Sequence, residues 1–136
     1  MTRSEARDFT FKIIFSYPFH KELSLDEYIN VEYENNTDLD IDKNNKTYIE
    51  STAADCFGNL ALIDEKIAGS LKNWKIERIS AVNKAILRLA VTEILYSDDV
   101  PDKVAINEAI ELEKPYGDDE SPAFINGVLA NFINKG

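Results

Sequence analysis

The chain has 136 residues, 44% of them hydrophobic, and a net charge of −10. That length holds one domain, or two closely packed subdomains with a real core, and excludes a multidomain machine. No apolar run reaches the roughly 18 residues of a membrane span, no signal-peptide core opens the chain, and the single cysteine, Cys56, allows no internal disulfide, so a cytoplasmic protein without membrane contact is expected.

From Ala6, the residues Phe9, Ile13, Ile14 and Tyr17 recur at helical spacing until Pro18 stops the pattern. Ser24 is placed to cap a short second helix carrying Leu25, Tyr28 and Ile29, after which Glu34 to Lys46 is polar and acidic, as a loop would be. A long third helix is expected from about Tyr48, burying Ala53, Phe57, Leu60, Ile63, Ile67 and Leu71, with Cys56 as a small hydrophobe inside it and Trp74 just beyond, plugging the junction between bundles.

From Ser80 to Tyr96 the apolar residues cover most of the circumference and leave a narrow polar stripe of Lys84, Arg88 and Thr92, which predicts a central helix. Asp98 to Asp102 reads as a turn, Lys103 to Lys114 as a helix ended by Pro115, and the last helix as capped by Ser121 with Pro122 at its first position. Its stripe of Phe124, Ile125, Val128, Leu129, Phe132 and Ile133 is interrupted by Gly127, whose cost in a helix suggests close helix–helix approach. No segment alternates as a strand would, so the fold is expected to be all-α.

Charge is distributed unevenly. Residues 1–21 carry +2 and the remainder −12, a weakly basic tip on an acidic body that repels bare RNA and attracts a basic protein. Lys72, Lys75 and Arg78 form a second basic cluster. Catalytic constellations are missing. Asp38, Asp40 and Asp42 open like a calcium loop, but Lys43 and Ile49 stand where a glycine and a bidentate glutamate are required. The only histidine, His20, lies in a turn, and no phosphate loop, nucleophile elbow or zinc-protease motif occurs. Neither an enzyme nor a cofactor is expected.

Three stretches, in order, resemble the NusB family across nearly the whole chain. They are Arg3-x-x-Ala6-Arg7; Ile86-Leu87-Arg88-Leu89-Ala90-x-x-Glu93-Ile94-Leu95 followed by Val100-Pro101-x-x-Val104-Ala105-Ile106-Asn107-Glu108-Ala109-Ile110-Glu111-Leu112; and Lys114-x-Tyr116-Gly117 with Phe124-Ile125-Asn126-Gly127-Val128-Leu129. The resemblance implies about seven helices in two small packed bundles forming one domain, near 1–75 and 76–136. It also implies a transcription antitermination factor that pairs with ribosomal protein NusE to bind the boxA element of ribosomal RNA leader transcripts and acts on the elongating RNA polymerase complex. For such a protein both a monomer and a homodimer stay open.

Carried over by position, Arg3 and Arg7 would meet RNA phosphates from one helix face, although Ser4 and Glu5 stand where the family often has more arginine. Tyr116 and Phe124 would stack on unpaired bases, while Phe124 also opens a core stripe, so both readings stay open for it. Glu120 would accept from a base amino group. Glu77, Asn83 and Glu93 are expected on an exposed edge facing NusE. The alternatives are a protein-binding helical adaptor without RNA contact, and the NusB-type domain that precedes RNA methyltransferases, for which a chain ending at Gly136 leaves no room.

Overall fold

The computed structural model describes residues 1–72, 75–116 and 120–133, with Ile133 by its backbone alone; Trp74 lies outside the described residues. They form seven α-helices: α1 (Arg3–Ser16), α2 (Leu25–Asn35), α3 (Lys43–Gly58), α4 (Leu60–Ser70), α5 (Ala81–Tyr96), α6 (Asp102–Tyr116) and α7 (Ser121–Ile133). Short 3-10 turns at Tyr17–Phe19 and Ile76–Arg78 follow α1 and α4. No strand occurs among the described residues.

Side-chain caps move several boundaries. Thr2 accepts from the Glu5 amide at 3.1 Å and Glu5 accepts from the Thr2 amide at 2.8 Å, so α1 starts at Arg3, a turn earlier than its apolar pattern. Asp42 caps α3 in the same sense, which makes the polar run Lys43 to Thr47 helical instead of a loop. The single long third helix is broken at Asn59, whose side chain donates to the Asp55 carbonyl at 2.9 Å and competes with the helical ladder. Pro115 lies inside α6, in its last turn, and the helix ends one residue beyond it, at Tyr116. At α7 the Glu120 carbonyl already accepts from the Phe124 amide at 3.1 Å, so Glu120 takes the cap position and Ser121 is helical and buried.

Two apolar clusters hold the helices together. One joins Ala6, Phe9 and Ile13 of α1 to Tyr28 and Ile29 of α2 and to Tyr48, Ile49 and Ala53 of α3. The larger gathers α5, α6 and α7, but it also takes Phe11 and Ile14 from α1, Cys56 from α3 and Ile63 and Ile67 from α4. The expected boundary near residue 75 is therefore not where the packing divides, because α4 packs with the C-terminal helices. Burying Cys56 removes its thiolate from water and pushes the thiol pKa up to about 11.

Helix α5 is buried nearly all round, and Thr92, expected on its polar stripe, is inside with its hydroxyl on the Arg88 carbonyl at 2.6 Å. Arg88 clamps Asp64 of α4 through two hydrogen bonds of 2.9 and 2.8 Å. Gly127 is exposed, and a Cβ built there would meet nothing within 4 Å, so the expected close approach is absent.

Candidate nucleic-acid interface

Because α1 begins at Arg3, both Arg3 and Arg7 are helical and share a face, as their spacing requires. At Arg7 that face looks inward. Arg7 is 5% exposed, and its Nε donates to Glu93 Oε1 and Oε2 at 2.9 and 3.1 Å while Nη2 donates to Oε2 at 3.1 Å. Nη1 lies 3.5 Å from Glu108 of α6, and the Tyr48 hydroxyl of α3 donates to Glu93 Oε1 at 2.6 Å. Burial pulls the Arg7 pKa down, but the hydrogen bonds and charge of Glu93 push it further up, so the guanidinium stays cationic. Burial, reinforced by the Glu93 charge, holds the Tyr48 phenol protonated well above the ordinary range.

Two expectations fall here. Arg7 does not face phosphates and Glu93, 2% exposed, does not face a protein partner; each is the other's counter-ion. The cause is the all-round burial of α5, which leaves Glu93 no solvated position and makes a buried cation necessary. Four helices meet at this pair. Arg3 is more exposed, yet its Nε donates to Asn45 Oδ1 at 3.0 Å and its guanidinium covers the Tyr48 ring at 4.6 Å. It lines a hollow of about 440 Å³ with Asp55, Asp98 and Asp99, an acidic setting for a phosphate contact.

A different place gathers the remaining candidates. The N-termini of α5 and α7 and the C-terminus of α6 converge around two hollows of about 280 and 330 Å³. Phe124, Glu120 and Arg78 line the first, Tyr116 and Phe15 the second, and Ser80, Asn83 and Ser121 belong to both. Ser80 fixes the start of α5 by accepting from the Asn83 amide at 3.1 Å. Tyr116 is 39% exposed; its ring packs 5.0 Å from Phe11 and its hydroxyl donates to Asp8 at 2.7 Å. Burial, with help from Asp8, raises the Tyr116 pKa, so the phenol remains a donor. Phe124 is half-buried against the larger cluster and lines the hollow as well, which reconciles its two readings.

The basic cluster reaches this site through Arg78, and Lys72 and Lys75 are exposed. Glu77 is exposed beside Arg78 in the second 3-10 turn, whereas Asn83 lies inside the hollows instead of on an outer edge. Lys12 is also exposed and is held 2.9 Å from Asp8; that hydrogen bond, against some burial, raises its pKa. Sequence reasoning missed Phe19 as a surface aromatic and Phe15, partly buried against the larger cluster, as a wall of the second hollow. Phe11, Phe15 and Phe19 follow one another at four-residue spacing with ring centroids 6.3 and 6.4 Å apart, and Phe19 is 72% exposed beyond the helix end. An aromatic placed after Pro18, where the core stripe has ended, was the available signal.

A model of the NusB family matches residues 4–134 of this chain. The transcription antitermination protein NusB of Agathobacter rectalis is 44% identical over 135 residues, covering 97% of this chain and 99% of that protein. Its counterpart in Clostridium novyi is 39% identical over 133 residues and 98% of each chain. Among solved structures, T. maritima NusB superposes with a TM-score of 0.85 at 32% identity, covering 99% of this chain and 92% of that one. A chain from a crystal structure of antitermination factors NusB and NusE in complex with dsRNA gives a TM-score of 0.83 at 22% identity over the full length of both, a likeness of fold.

Proposed function

The chain belongs to the NusB family, and from that premise we propose that it serves transcription antitermination by binding boxA RNA of ribosomal RNA leader transcripts as a heterodimer with ribosomal protein NusE. The observation that carries this reading is the pair of adjoining hollows framed by Tyr116, Phe15 and Phe124, with Arg78 at the rim. Exposed ring faces stack on unpaired bases whatever their identity, and cations beside them take the phosphates. RNA would cross Tyr116, Phe124 and Glu120, with Arg3 in a minor role and Arg7 holding the scaffold. A related NusB has been crystallised with NusE and dsRNA, which supports both partners.

The same charges set the expected affinity. With Arg7 withdrawn into an ion pair and Arg3 beside three aspartates, a chain of net −10 offers RNA few cations. The acidic surface, including exposed Glu77, suits a basic ribosomal protein, and that partner would bring the missing positive charge. Weak boxA binding by the chain alone, strengthened on adding NusE, is the expected outcome of an anisotropy titration at moderate salt. Equal affinity with and without NusE would reject it. The withdrawal of Arg7 also favours a second reading, a helical adaptor that binds protein and never RNA; absence of any RNA contribution from this chain in the ternary titration would select it.

A further inference from the structure

Asn83 stands where the two hollows meet, and the groups behind it decide which atom of its carboxamide faces a ligand. Behind it lies the completely buried Glu113 of α6. With its nitrogen turned inward the carboxamide donates to Glu113 Oε1 at 3.1 Å and reaches Oε2 as well. Turned the other way, it would set an oxygen against the oxygens of Glu113 in its ionised form, the state in which that side chain only accepts. Opposed acceptors in a buried position are strongly unfavourable, so the inward nitrogen is the stable arrangement. The far end of the carboxamide, now Oδ1, is 3.4 Å from the Ser121 hydroxyl at the junction of the hollows.

Resting on the RNA reading above, we infer that Asn83 Oδ1 is a specificity-determining acceptor and Glu113 the positioning residue that fixes it, so that the site takes an unpaired base carrying an exocyclic amino group. An asparagine free to turn offers a donor or an acceptor and discriminates little. Committing its nitrogen to Glu113 leaves only the acceptor, and Glu120 adds a second acceptor group to the same rim. Adenine, cytosine and guanine bring an amino donor to such an edge. Uracil brings carbonyl oxygens on either side of one N–H and meets acceptors with acceptors. Phe124 and Tyr116 supply ring surface, which holds any base, so the choice among bases falls to Asn83.

The test uses the chain with NusE and a labelled boxA RNA in anisotropy titrations. Each amino-bearing base is replaced singly by a partner lacking the group: inosine for guanosine, purine riboside for adenosine, uridine for cytidine. At one position the native chain should lose on the order of tenfold in affinity, the size of one base-edge contact. Glu113→Gln, whose side chain accepts either end of Asn83, and Asn83→Ala should both bring that ratio to within about twofold. Circular dichroism melting checks both variants, and if Glu113→Gln unfolds, Asn83→Ala decides alone. Native indifference to every amino group, or variants that keep the tenfold ratio, overturns the inference while leaving RNA binding intact. Failure of the native complex to bind any RNA rejects the underlying reading and this inference with it.

Discussion

Glu93→Ala is the most informative single perturbation of the scaffold, because it tests whether the family-matched Arg7 is structural. In the native chain Arg7 and Glu93 are both nearly inaccessible and share three hydrogen bonds of 2.9 to 3.1 Å. Removing one member of a buried pair strands the other and costs about 3–5 kcal/mol. Glu108, 3.5 Å away with a side chain 26% exposed, would remain as a partial counter-ion, which favours the lower end of that range. The Tyr48 hydroxyl also loses its 2.6 Å acceptor, which adds about 1 kcal/mol. A total of about 4 kcal/mol is a large part of the 5–15 kcal/mol that a domain of this size has. Urea unfolding followed by circular dichroism should show it as a lowered midpoint at constant slope. The double variant Arg7→Met with Glu93→Leu removes both charges and should recover most of the loss. A cost below about 1 kcal/mol for Glu93→Ala, or a double variant as damaged as the single one, would refute the counter-ion argument.

The folded double variant should also bind boxA RNA with NusE within about twofold of native, since both side chains are buried, whereas a loss of one phosphate contact would show as a reduced salt slope. Phe124→Ala and Tyr116→Ala should each weaken RNA binding by about 1–3 kcal/mol per lost stacking contact, and Tyr116→Phe should keep most of it, all read by the same titration. Glu77→Lys should reduce co-purification with NusE, and unchanged retention would move the partner surface elsewhere. Stability should fall in alkali: burial raises the Cys56 thiol from 9.0 to about 11 and raises the Tyr48 phenol too, so the unfolded state loses protons first; the Cys56 contribution, complete below pH 9, is lost as pH rises through 11, and the Tyr48 contribution declines from the ordinary phenol range upward. Urea midpoints between pH 8 and 11.5 check this, and Cys56→Ala with Tyr48→Phe should flatten the decline.

The helices were legible because their apolar periodicity is strong, α5 and α7 most of all, and periodicity survives without knowledge of tertiary contacts. Boundaries were not, because they depend on polar groups acting locally: the Thr2–Glu5 cap lengthens α1, Asp42 recruits a polar run into α3, and Asn59 cuts what the apolar stripe would continue. The site was half legible. Tyr116, Phe124 and Glu120, expected at RNA, and Asn83, expected at the protein partner, are gathered by the fold from α5, α6 and the start of α7. Arg7 and Glu93 misled for one reason: a charge on a helix reads as exposed until its counter-ion, 86 residues away in sequence, is known. Pairing at that range leaves no local pattern. The carboxamide of Asn83 is likewise undecidable without Glu113, which belongs to another helix.

On this reading RNA passes over the α5–α6–α7 junction and not over the arginine face of α1. Ultraviolet crosslinking of unmodified boxA RNA to the complex with NusE, followed by mass spectrometry of the joined peptides, tests it directly. Adducts at Tyr116, Phe124 and Phe15, with none at Arg7, are predicted. Adducts concentrated at Arg3 and Arg7, with the junction unlabelled, would contradict it.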